Sequence, residues 1–162
     1  MDRRNCALIK KMNPLEIVGP LILELGFKRK DNRLWLRQKA DVWNLIGLQK
    51  SPWGDQYYIN LGIWIPALNP NLNPRTKDCH IQIRLDGIAS NSSAVESAMN
   101  FEDSWKIELD HRRFELFCAL KDANERFFDI FDSLDSIKRY FSSHEFGHLA
   151  VQRELFDVLY PN

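Results

Sequence analysis

Two apolar-rich runs, 42–49 and 56–65, flank the pentapeptide Ser51-Pro52-Trp53-Gly54-Asp55. Proline followed by glycine among polar residues is turn chemistry, so the order strand, short turn, strand implies an antiparallel hairpin. This feature constrains the chain most, because a two-stranded ribbon is stable only when further strands or a helix cover it. A shorter strand is predicted at 34–37. The stretch 80–85 alternates, with Ile81, Ile83 and Leu85 on one face and His80, Gln82 and Arg84 on the other. Residues 105–110 alternate too, with Trp105, Ile107 and Leu109 inward. The sum is an antiparallel sheet of four to five strands with one wet face.

Helices are expected on both sides of this meander. Asn13-Pro14-Leu15-Glu16 reads as a helix start, with Asn13 as cap, Pro14 in the first turn and Glu16 able to close a capping box. Gly26 is a suitable left-handed stop, and Gly19-Pro20 between them predicts a kink or a division into two short pieces. Beyond residue 111 the period becomes helical. Phe114, Phe117 and Cys118 share one face, while Leu116, Leu120 and Asn124 share another. Residues 127–141 space their aromatics as a helix packed on the sheet would, with Asp132 or Ser133 capping the second part. A last helix is predicted over 143–159, carrying an apolar stripe of Phe146, Leu149, Leu155, Phe156, Val158 and Leu159. The fold class is α+β: an N-terminal helix, the sheet, then C-terminal helices, in one domain over 1–162.

Composition narrows the function classes. The three cysteines, Cys6, Cys79 and Cys118, show no C-x-x-C spacing, which disfavours a disulfide framework and a cysteine zinc site. They read as reduced thiols of a cytoplasmic protein. Nothing resembles a signal peptide or a membrane span. Net charge is zero, yet residues 1–85 hold 14 Lys and Arg against 7 Asp and Glu, and residues 86–162 hold 8 against 15. The halves attract each other, or each is a solvated face, or the acidic half offers a surface to a basic protein. A general nucleic-acid binder is disfavoured, since the basic residues form no single motif. No Gly-rich phosphate loop occurs among the seven scattered glycines, and no cofactor is implied.

The segments "LILELGFKRKDNRLWLR", "VWNLIGLQKSPWGDQYYINLGIWIP" and "FFDIFDSLDSIKRYF" resemble the bacterial domain-of-unknown-function family 4304 over roughly 14–141. The most specific parts are Leu25-Gly26-Phe27, "LQKS" at 48–51 and "INLG" at 59–62. The resemblance implies a small cytosolic bacterial α+β domain and brings no activity and no catalytic residues. Proteins of this kind often occur as immunity proteins beside toxin genes.

One motif suggests catalysis. His144-Glu145-Phe146-Gly147-His148 matches H-E-x-x-H, by which zinc proteases present two imidazoles and a general base from one helix. Ser142 and Glu145, however, fit a capping box that would give the glutamate a local task. Glu154 follows His148 by six residues, where one protease clan places its third ligand. On a continuous helix it would lie about 240° around the axis and miss the metal. No metal ligand set is therefore assigned. Cys79 and His80 are strand neighbours pointing to opposite faces, so they form no nucleophile–base pair. Cys118 reads as core, and His111 as a solvated residue at a strand–helix junction.

The remaining candidates are surfaces. Trp43, Tyr57, Tyr58 and Trp64 are expected in core or cross-strand pairs, leaving Trp53 exposed at the turn as an interface anchor. The acidic set Glu102, Asp103, Glu108, Asp110, Asp129, Asp132 and Asp135 could meet a basic toxin. The leading expectation is a non-enzymatic immunity protein that binds a cognate toxin through Trp53 and these acids. The alternatives are a zinc hydrolase using the HEFGH segment, or a domain that self-associates through its last helix.

Overall fold

The computed structural model describes residues 12–102 and 106–161. Helix α1 spans Pro14–Glu24 and starts as expected, with the Asn13 side chain accepting from the Leu15 N–H at 3.1 Å. Gly26 follows with φ +81°, the left-handed conformation that releases the chain into the sheet. Pro20 stays inside an unbroken helix on its exposed side, and the expected division into two pieces does not occur.

Six antiparallel strands follow in sequence order: β1 Lys28–Asp31, β2 Leu34–Gln38, β3 Trp43–Lys50, β4 Tyr57–Trp64, β5 Ile81–Arg84 and β6 Ala150–Val151. The central hairpin holds in full register from Trp43↔Trp64 to Lys50↔Tyr57. The four strands read from sequence at 34–37, 42–49, 56–65 and 80–85 are all present, and two edges are added. β1 lacks an apolar pattern because it is the charged sequence Lys-Arg-Lys-Asp, a usual guard for an exposed edge. β6 is only two residues long, too short for any periodicity.

Helix α2 (Ser92–Ala98), α3 (Leu109–Ala123), a π-helical turn at Asn124–Phe128, α4 (Leu134–Phe141) and α5 (Arg153–Leu159) complete the chain. The strand expected over 105–110 is not formed. Its last two residues open α3, and Leu109, Leu116 and Leu120 follow a helical spacing; Trp105 lies outside the described residues. The buried Arg112 ties this first turn down by donating to the carbonyls of Ala98 and Asn100. The stretch 127–141 divides, with Ser133 capping α4 by accepting from the Ser136 N–H at 3.1 Å.

Alternate residues of the strands build two faces. Trp35, Ile46, Ile59, Leu61, Ile63 and Ile81 meet the buried sides of α1, α3 and α4 in one large core. Gly19 of α1 is buried facing Trp35, whose ring would lie in ordinary contact, 3.7 Å, with a Cβ there. Phe127, Phe128, Phe131 and Phe141 fill the lower part with edge-on and stacked rings. Phe114 and Phe117 are on the outside of α3, and Cys118 is half-buried, so the expectation that Cys118 is core is corrected. α3 has two apolar faces and only the one with Leu116 and Leu120 reaches the sheet.

The opposite face is half covered. The connection 66–79 folds over a smaller cluster of Leu34, Leu45, Trp64 and Cys79. Two glycines permit this close approach: a Cβ on Gly62 would lie 2.5 Å from Cys79 Sγ, and one on Gly47 would lie 2.9 Å from Thr76 Oγ1. The remainder of that face is open.

Candidate functional site

The HEFGH segment is not helical, which corrects the helix expected over 143–159. α4 ends at Phe141. The Ser142 and Ser143 hydroxyls donate back to the carbonyls of Arg139 and Tyr140, so they finish one helix and do not start another. Gly147, at φ +56°, breaks the segment again before β6. The His144 ring stacks on Tyr140 at 4.3 Å, with Nδ1 2.9 Å from the Tyr140 carbonyl. His148 is exposed beside Ala150 on the open face of the sheet. The one-turn spacing that would bring both imidazoles to a metal is absent, and no group of three metal-ligating side chains occurs among the described residues.

Glu154 belongs to a different site. Its Oε2 lies 3.3 Å from Nε2 of His80, a residue whose side chain is fully buried. His80 was expected on the wet face with Gln82 and Arg84, and that reading is corrected. It precedes β5, where its Nδ1 accepts the Ile65 N–H at 3.0 Å and its ring packs on Trp64 at 4.5 Å. Because Nδ1 accepts, Nε2 carries the proton and faces the carboxylate. Burial lowers the imidazole pKa, with Glu154 acting in opposition. Cys79 is sealed in the smaller core, where burial pushes its thiol far up and leaves it inert as a nucleophile.

Trp53 is 92% exposed, as the turn chemistry predicted. The loop beneath it is firmly braced. Ser51 N–H donates to the Gln56 carbonyl at 2.8 Å, Phe101 N–H to the Asp55 carbonyl at 2.9 Å, and Tyr57 N–H to the Met99 carbonyl at 3.0 Å. Lys50 pairs with Asp55 at 2.8 Å, and the Glu102 carboxylate packs over Gly54. Tyr57 meets Phe101 edge-on at 5.6 Å. The indole is thus carried on a stiff support and contributes nothing to the core.

The seven acidic candidates fall into two groups, with Asp103 outside the described residues. Glu102 adjoins the Trp53 turn. Glu108 and Asp110 stand at the start of α3, which Arg112 anchors to the carbonyls of Ala98 and Asn100. Asp129, Asp132 and Asp135 lie at the other end of α3. There Asp129 acts on Arg37 and Asp41 accepts the first N–H of α4 from Leu134. Fifteen residues of helix separate the groups, about 20 Å. Asp132 accepts from the Ser133 hydroxyl and Asp135 occupies the first turn of α4, both local tasks at a helix N-terminus.

Sequence reasoning missed a basic cleft on the open half of the sheet. Its volume is about 860 Å³, and Arg33, Lys50, Arg75, Lys77 and Arg84 line it. These residues come from the β1–β2 turn, the ends of β3 and β5, and the connection 66–79, so no sequence window contains them. The one available signal was the positive excess of residues 1–85. Among the described residues, no helix is long and apolar enough to cross a membrane.

A family model described as a domain of unknown function (DUF4304) matches residues 18–129. No curated protein and no solved structure matches the chain.

Proposed function

The chain belongs to the DUF4304 family, and from that premise we propose that it is a non-enzymatic binding protein, specifically an immunity protein that neutralises a cognate bacterial toxin by direct contact. One observation carries this reading: Trp53, 92% exposed on a turn held by backbone hydrogen bonds to 99–101. A rigid aromatic surrounded by polar groups is the usual anchor of a protein interface, because it buries a large area at little cost in side-chain entropy. Glu102, Glu108 and Asp110 on the same end supply a negative rim that would steer a basic partner and improve its orientation. Nucleases that bind phosphate present such basic surfaces, and an inhibitor needs only to occlude them. Asp129, Asp132 and Asp135 lie about 20 Å away at the other end of α3, so they would join only a contact that runs the length of that helix.

The test is co-expression with the product of the toxin gene adjacent to this one. Wild-type protein should restore growth and co-purify with the toxin as a stable complex. Trp53→Ala should weaken that complex by tenfold or more, with its melting temperature unchanged. Failure of the wild-type protein to restore growth, or full affinity in Trp53→Ala, overturns the reading.

A further inference from the structure

We propose that the basic cleft on the open face of the sheet is a binding site for a phosphate-bearing ligand of nucleotide size. The floor is a transverse row, Leu34↔Gly47, Gly47↔Asn60 and Asn60↔Arg84, in register across β2, β3, β4 and β5. Three strand spacings make it about 14 Å wide. The 3-10 turn Thr76–Asp78 stands over one side, because Thr76 rests on Gly47. Pockets for small molecules fall in the range of roughly 300–1,000 Å³, which includes the 860 Å³ of this one.

Charge defines the ligand class. Five cationic side chains line the cleft and no carboxylate does. Asp31, Asp55 and Asp86 hold Arg75, Lys50 and Arg84 from outside the lining. These contacts fix the cations without exhausting them. Arg75 uses Nη1, and Arg84 uses Nε and Nη2, of the five N–H donors each guanidinium has. Arg33 and Lys77 are exposed and have no carboxylate partner among the described residues. Asp55 holds the Lys50 ammonium above its ordinary range while Arg33 acts against it, so two like charges face one space. An anion with several oxygens relieves that repulsion, and arginine forks match phosphate geometry.

A single compact ligand fits better than a strand of nucleic acid. Sequence-tolerant binding of single strands relies on a series of aromatic rings on which successive bases stack. The lining of this cleft holds the His148 imidazole but no Phe, Tyr or Trp, and the neighbouring Tyr58 ring is covered by Arg84 at 4.5 Å. In place of such a series it offers amides: Gln49 and Asn60, paired at 2.9 Å on the floor, suit the polar body of a sugar or base. The chain has no Gly-rich loop, so phosphate contacts come from side chains, and binding should weaken steeply with salt.

Calorimetric titration of the full chain with adenosine triphosphate, inorganic tripolyphosphate and adenosine tests this. The first two should bind at one shared site and compete, while adenosine should not bind. The double variant Arg33→Gln/Lys77→Gln should lose tenfold or more in affinity with no change in melting temperature, since neither side chain has a hydrogen-bond or ion-pair partner among the described residues. Raising salt from 50 to 200 mM should weaken both ligands. Absence of binding by both polyphosphates, an undiminished affinity in the double variant, or binding of a single-stranded oligonucleotide without binding of either polyphosphate overturns the proposal. Neither substituted residue belongs to the Trp53 turn, so loss of toxin binding and loss of phosphate binding are separately observable.

Discussion

Glu154 on the last helix holds its Oε2 3.3 Å from Nε2 of the buried His80, and this contact joins the end of the chain to the sheet. It explains how β6 forms: Gln152 N–H donates to the His80 carbonyl at 2.9 Å, and Val151 pairs with Ile81. Glu154 had offered itself as a third metal ligand after HEFGH; the fold directs it to an imidazole 74 residues earlier in the chain.

The His80 pair makes stability sensitive to acid. The carboxylate is 55% exposed, so water screens it, and burial wins: the folded pKa lies below the ordinary value near 6.5. Below that value the unfolded chain binds the proton more readily. Stability is therefore complete above about pH 6.5 and falls on acidification, by at most about 1.4 kcal/mol per pH unit for this one group. Protonation at Nδ1 would also break the Ile65 N–H bond. Urea unfolding of the wild type from pH 7.5 to 5 should show this slope, and His80→Gln should flatten it. Equal slopes would exclude His80 as the source.

Gly62 faces Cys79 across the smaller core, where a Cβ would lie 2.5 Å from Sγ and 2.8 Å from the cysteine Cβ. Gly62→Ala should cost about 1–3 kcal/mol, because the connection 66–79 must lift off the sheet. Adding Cys79→Ala should return only part of this, since the second contact remains. Denaturant midpoints of the single and double variants measure both effects.

Arg112 is buried with its guanidinium on the carbonyls of Ala98 and Asn100 and over the Phe101 ring at 4.4 Å. Burial lowers its pKa, but an arginine remains charged. Arg112→Met fills the space and leaves the carbonyls without a donor, which should cost about 2–4 kcal/mol. Loss of order should begin at 98–102, so hydrogen exchange at Phe101 and Tyr57 should accelerate in the variant. Unchanged exchange there would show that the segment is held by other means.

Trp53→Ala should leave the melting temperature within 1–2 °C of wild type, because surface substitutions away from packed contacts cost less than about 0.5 kcal/mol. A larger loss would mean that the indole packs against the protein in solution and is not an available anchor.

The strands at the centre were legible because they are apolar-rich runs of eight to ten residues and the intervening turn has Pro and Gly. Asn13, Gly26 and Ser133 were legible as helix boundaries because caps are local hydrogen bonds between near neighbours. The 105–110 pattern misled because six alternating residues fit a lead-in to a helix as well as a strand. HEFGH misled for a related reason: whether two serines begin a helix or end one depends on which carbonyls lie behind them. His80, on the polar side of its alternation, gave no local sign of burial.

By itself, then, the sequence determined the class of fold, the central hairpin, the exposure of Trp53 and the ends of several helices, since each depends on periodicity or on bonds within a few residues. Tertiary structure alone decided the β6 edge of the sheet, the pairing of His80 with Glu154 and the assembly of Arg33, Arg75, Lys77 and Arg84 around one cleft. Those relationships connect residues tens of positions apart, and they exist only once burial of the large core has set the strands in register.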